Sequence, residues 1–91
     1  MVAAAVNKNP EIVTALVNNG AEVNETNSPK LGMTALMIAA EFNDNPDVIT
    51  ALINNGADVN MTTPATDRTA LYYAEKNKNP EVAAVLRKHY S

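Results

Sequence analysis

The chain reads as an all-α solenoid of stacked helix pairs, and three features of its 91 residues predict this. The pentapeptide Asn7-Lys8-Asn9-Pro10-Glu11 returns unchanged as Asn77-Lys78-Asn79-Pro80-Glu81, and a near copy, Asn43-Asp44-Asn45-Pro46-Asp47, lies between them. Each copy leads into an apolar pattern at helical spacing: Ile12-Val13-Thr14-Ala15-Leu16-Val17, Val48-Ile49-Thr50-Ala51-Leu52-Ile53, then Val82-Ala83-Ala84-Val85-Leu86. The first two patterns stop at the same signal, Asn18-Asn19-Gly20 and Asn54-Asn55-Gly56. A unit recurring every 34 to 36 residues is too small to bury its own hydrophobic face, and it gains a core by stacking on its neighbours.

The elements follow in order. Pro10, Pro46 and Pro80 stand where a second helix begins, because a missing N–H costs nothing in the first turn. Gly20 and Gly56 are placed to take the left-handed conformation that closes a helix. After each Gly comes a matching segment, Ala21-Glu22-Val23-Asn24 or Ala57-Asp58-Val59-Asn60, and then a loop rich in Thr, Ser, Pro and Asn. Thr34 and Thr69 then read as N-caps of short inner helices. The expected helices are 1–7, 11–18, 34–42, 46–54, 69–76 and 80–89, with sheet limited to short hairpin bridging. Leu16, Leu52 and Leu86 are expected to be equivalent and buried.

Composition narrows the function classes. Hydrophobic residues at 46% and charged residues at 19% are globular proportions, and no apolar run approaches the roughly 18 residues that cross a bilayer. No membrane partner is expected. The apolar start Met1 to Val6 has no basic residue ahead of it, so a signal peptide is not expected. The chain has no cysteine, which suits a cytoplasmic protein. A net charge of -3 argues against nucleic acid, since neutralising phosphates takes clustered Lys and Arg. The balance is uneven: residues 1–67 sum to -6 and residues 68–91 to +3.

No catalytic constellation emerges. The single histidine, His89, is near the C-terminus, and the serines are Ser28 and Ser91, so no Ser-His or Cys-His nucleophile is expected. Asn43, Asn45 and Asp47 imitate the start of a calcium loop, but Val48 stands where the turn Gly belongs and Asn54 where the bidentate Glu belongs. Glu11, Asp47 and Glu81 suit the positive ends of helix dipoles. No enzyme activity, cofactor or metal is expected.

Gly-Met-Thr-Ala-Leu (32–36), the Ala39-Ala40 pair, Asn-Pro-Asp-Val-Ile (45–49), Leu52-Ile53 and Gly-Ala-Asp-Val-Asn (56–60), in this order and then recurring, resemble the ankyrin repeat. The resemblance covers nearly the whole chain. It implies an ankyrin-type solenoid of antiparallel helix pairs joined by β-hairpin-like fingers, in one domain over 1–91: a partial repeat 1–27, a repeat 28–63 and a C-terminal capping repeat 64–91. The chain departs from the family's Thr-Pro-Leu-His with Thr34-Ala35-Leu36-Met37 and Thr69-Ala70-Leu71-Tyr72, so the Thr-His hydrogen bond is missing while the helix is kept. Its fingers are also one or two residues longer than usual.

The resemblance implies a non-catalytic module that binds a protein partner through fingertips and the exposed face of the first helices. The family's variable positions fall on Lys30, Leu31, Met33, Glu41 and Phe42 in the second repeat and on Ala65, Thr66, Arg68, Lys76 and Asn77 in the third. Leu31, Met33 and Phe42 would form an apolar centre, which Tyr72 or Tyr73 would extend. The alternative for the finger is that it folds back and buries Leu31 and Met33. The rival function is a structural or self-assembling repeat segment of a longer protein.

The two ends differ. Ala83 stands where the second repeat has Ile49, Arg87 where it has Ile53, and Lys88 and His89 replace Asn54 and Asn55, as in a polar terminal cap. The first repeat keeps the interior pattern, so Val2, Val6, Ile12 and Val13 are expected either to be covered by further repeats or to form an intermolecular contact in a weak homo-oligomer. The repeat register also generates a stability prediction: Leu52→Ala is expected to cost about 2–5 kcal/mol in urea unfolding, and a near-neutral result would break the equivalence of the second helices.

Overall fold

A computed structural model describes residues 2–26 and 32–89 of the chain, together with the side chains from Ala4 onward within them. Six helices run through the described residues: α1 (Val2–Val6), α2 (Glu11–Asn18), α3 (Ala35–Phe42), α4 (Pro46–Asn54), α5 (Ala70–Ala74) and α6 (Pro80–His89). They pack as pairs, α1 on α2, α3 on α4 and α5 on α6. The first helices α1, α3 and α5 form one row and the second helices α2, α4 and α6 another, each touching its neighbours in the row. Among the described residues, one isolated antiparallel bridge, between Thr26 and Thr34, marks the base of the second repeat's finger.

The helix limits follow the local chemistry. Gly20 and Gly56 take φ of +92° and +101°, and behind each the chain folds back, Ala21 N–H donating to Leu16 O and Ala57 N–H to Leu52 O. Thr34 caps α3 by accepting from Met37 N–H at 3.3 Å. Thr69 has the extended backbone of an N-cap but makes no side-chain cap bond, a departure from its expected role. Helix α5 is also shorter than expected: Lys76 N–H and Asn77 N–H reach only three residues back, to Tyr73 O and Ala74 O, tightening its end. Pro46 and Pro80 begin their helices, whereas Pro10 stands one residue before α2.

The core lies between the two rows. The first helices contribute mainly small side chains, Ala4, Ala5, Ala35, Ala39, Ala40, Ala70 and Ala74, with Leu36 and Met37. The second helices contribute Val13, Val48, Ile49, Leu52, Val82 and Leu86, each without solvent exposure. Leu16 departs from the expected equivalence: it is half-buried while Leu52 and Leu86 are fully buried. Among the described side chains, α1 gives Ala4 and Ala5 to the core, whereas α5 gives Ala70, Tyr73 and Ala74 with Leu71 packed against them. The fingers are in close contact as well. Gly32 has φ +62°, and a Cβ there would overlap the Pro64 ring, so the second finger rests directly on the third.

The recurring Asn-x-Asn segment joins the repeats. In every copy the first Asn oxygen accepts from the N–H two residues on, at 2.8 Å for Asn7 and Asn77 and 3.0 Å for Asn43. The second Asn oxygen then accepts from Glu11, Asp47 or Glu81 N–H at 3.0 Å, satisfying a free donor at the start of the second helix. The amide nitrogens point backwards across the repeat boundary. Asn43 Nδ2 donates to Ala5 O and Asn7 O (2.9 and 2.7 Å), and Asn77 Nδ2 to Ala40 O and Asn43 O (2.9 and 2.8 Å). Asn45 and Asn79 donate to Lys8 O and Asp44 O at 2.6 and 2.7 Å. Asn43→Ala removes three such bonds from a buried position, and at about 1 kcal/mol net each it is expected to cost about 2–4 kcal/mol in urea unfolding.

Candidate protein-binding surface

With the Asn pairs fixed in the ladder, the residue before each pair has a fixed place too. Val6, Phe42 and Lys76 each directly precede the first Asn of a copy; Val6 and Phe42 end α1 and α3, and Lys76 lies two residues beyond α5, on first helices that pack side by side. They therefore form one row across the three repeats. Val6 and Phe42 are the exposed large hydrophobic side chains among the described residues, at 61% and 69%. A largely exposed Phe, at the same register as an exposed Val of the neighbouring repeat, costs free energy unless something covers it.

The third repeat changes the character of the row. Arg68, Tyr72 and Lys76 stand four residues apart along α5 and its flanks, so they share a face. The Arg68 guanidinium carbon lies 4.4 Å from the Tyr72 ring centroid and Lys76 Nζ lies 4.8 Å from it. Tyr72 in turn meets Tyr73 edge to face at 5.4 Å and 89°. Both cations are thus held against the half-buried ring, Lys76 exposed and Arg68 half-buried, each contact contributing about 0.5–1 kcal/mol. The resulting surface is apolar at Val6 and Phe42 and cationic at Lys76 and Arg68.

Other residues expected on this surface are placed differently. Lys30 and Leu31 lie outside the described residues. Met33 is half-buried and packs on the core, so it is not part of an exposed apolar centre; the close approach of Gly32 to Pro64 draws this end of the finger inward. Tyr73 is buried, and Tyr72 alone remains at the surface. Asn77 is spent on the ladder. Its recurrence as Asn7 and Asn43 was the sign that it is structural. Glu41 is half-buried, Ala65 and Thr66 are exposed, and the Thr66 hydroxyl bonds that of Thr63 inside the third finger. Arg68 N–H donates to Thr63 Oγ1 at 3.1 Å, which seats Arg68 beside the helix.

The residues expected to face outward from the first repeat also separate. Val13 is fully buried and Ile12 is half-buried on the core, because α2 turns both toward α1 and α4. Val6 is exposed, but in the row of Phe42; the Val2 side chain lies outside what is described. Val6 was expected in a self-association contact; its place directly before Asn7, matching Phe42 before Asn43, is the signal that puts it at the register of Phe42. Arg87, Lys88 and His89 are exposed on the last helix.

The oxygens of Asn43 and Asn45 that imitated a calcium loop accept backbone N–H groups instead. Among the described residues, no group of three or more acidic or His side chains is placed to hold a metal ion, and no helix is long and apolar enough to cross a membrane.

The description of ankyrin repeats matches this chain in three copies over residues 1–91, and the chain belongs to the ankyrin repeat family. No curated protein matches it significantly. Ankyrin repeats are generally protein–protein interaction modules, and the helical architecture without strands among the described residues is that of the family's helix-hairpin solenoid. Because Phe42 is 69% exposed, Phe42→Ala is expected to change unfolding stability by less than about 0.5 kcal/mol; a larger loss in thermal or urea unfolding would assign Phe42 to the core.

Proposed function

We propose that the chain binds a protein segment through the first-helix row, with Phe42 and Val6 as the apolar floor and Lys76, Tyr72 and Arg68 as the polar end. The observation that carries this reading is the exposure of Phe42 at the same register as the exposed Val6. The exposed Ala65 and Thr66 extend the surface along the third fingertip. Repeat units of 1–27, 28–63 and 64–91 put one surface position in each unit. The partner chemistry follows from the floor: an apolar side chain laid on Phe42, with a carboxylate a few residues away meeting Lys76 or Arg68. Aromatic and Arg anchors carry most interface energy in general, and the rim charges set orientation and association rate.

Panning a random peptide library on the immobilised protein tests this directly. The expected peptides pair an aromatic or aliphatic residue with Asp or Glu. Calorimetric titration of a selected peptide should show Phe42→Ala weakening binding by at least about 1 kcal/mol, Lys76→Glu weakening it further, and Glu81→Ala on α6 leaving it unchanged. Peptides whose binding ignores both Phe42→Ala and Lys76→Glu would refute this surface.

A further inference from the structure

The third finger closes on one residue. Thr63 is 3% exposed, and each of its polar groups is spent inside the loop 63–68. Its N–H donates to Arg68 O at 3.0 Å and its carbonyl accepts from Asp67 N–H at 2.8 Å. Its Oγ1 accepts from Arg68 N–H at 3.1 Å and shares a short hydrogen bond with the Thr66 hydroxyl. Thr63 therefore holds both backbone polar groups of Arg68. Asp67 takes φ of +55° to close the turn, a conformation that Asp tolerates better than most side chains. The loop is also braced from outside, since the Pro64 ring lies where a Cβ on Gly32 would fall.

Arg68 is thus fixed at two points, its backbone on Thr63 and its guanidinium carbon 4.4 Å from the Tyr72 ring centroid. Among the described residues no carboxylate pairs with it. An arginine already held at both ends has less freedom to lose when it binds, and its planar fork offers a carboxylate two parallel N–H donors. Lys76 meets the same ring from an exposed position, as a point charge on a flexible stem. We infer that Thr63 is a positioning residue of the binding surface: by holding the Arg68 backbone it presents the guanidinium, set against Tyr72, as the main anchor of a partner's carboxylate, with Lys76 the lesser one. This inference rests on the first-helix row being the binding surface.

Thr63→Val keeps the shape of the side chain and removes the hydroxyl, whereas Thr63→Ser keeps the hydroxyl and removes the methyl group. Calorimetric titration uses a peptide selected on the protein that pairs an aromatic residue with Asp or Glu, and the same peptide with Asn or Gln in place of the acid. Thr63→Val should weaken the acidic peptide about three- to tenfold and the carboxamide peptide less than about twofold. Thr63→Ser should bind both as the unchanged protein does. Arg68→Gln should weaken the acidic peptide more than Lys76→Gln does, and adding Thr63→Val to Arg68→Gln should bring no further loss. Circular dichroism checks the helices. Should Thr63→Val fail to fold, amide exchange in the unchanged protein decides: Arg68 N–H is expected to exchange at least about tenfold more slowly than in a free peptide, and unprotected exchange overturns the positioning. If Phe42→Ala weakens binding but Thr63→Val leaves the acidic peptide unaffected, or weakens both peptides equally, the role of Thr63 is overturned and the row stands. Peptides indifferent to both Phe42→Ala and Lys76→Glu overturn the two together.

Discussion

The structure depends on one double-acting group, the asparagine side-chain amide. Helix ends leave backbone donors and acceptors without partners, and burying them unpaired is expensive. The Asn oxygen serves donors ahead of it in its own repeat while the nitrogen serves carbonyls of the repeat behind. Neither a carboxylate nor a hydroxyl of that reach offers both an acceptor and two donors. One residue type therefore ends a first helix, starts a second and joins two repeats. Asn43, at 2% exposure, does so from within the core, and among the described residues no buried side-chain polar atom lacks a partner.

The ladder works because the first helices approach closely, and this in turn needs alanine. Ala39 and Ala40 of α3 and Ala74 of α5, two helices that pack together, have almost no exposed surface, and Ala4 and Ala5 of α1 have none. Leu36 and Met37 of α3 and Val13, Val48, Ile49, Leu52, Val82 and Leu86 of the second helices supply the bulk of the core. The Asn24 amide repeats the same chemistry at the fingers: its nitrogen donates to Gly56 O at 3.0 Å and its oxygen accepts from Asp58 N–H at 2.7 Å. Exposed ion pairs add little by comparison. Arg87 and Glu75 are 3.9 Å apart with both side chains well solvated, a geometry in which screening removes most of the attraction.

With the backbone at each boundary already satisfied, the positions left to vary are those whose side chains leave the stack. Val6, Phe42 and Lys76 occupy one such position in three successive repeats, and their chemistry passes from apolar to cationic along the row. Val6 and Phe42 leave their side chains exposed, while the Asn43 and Asn77 amides are turned to the backbone of the repeat boundary.

Periodicity, glycine stops and proline starts were legible in the sequence, because each is a local constraint: φ at Gly56, the missing N–H at Pro46, the 3.6-residue spacing from Val48 to Ile53. They determined six helices to within a few residues. The site was half legible. Phe42 was marked by being apolar at an outward position, whereas Met33, Tyr73 and Val13 carry equally apolar side chains that the stack turns inward. That choice depends on which neighbour lies across the boundary, and no local pattern holds it. The Asn pairs show the difference most clearly. Their recurrence was the plainest mark in the sequence, but an amide's two ends are alike in a string of letters, and only the stacked repeats decided that the oxygen turns forward to cap a helix while the nitrogen reaches back 36 residues to hold the previous repeat.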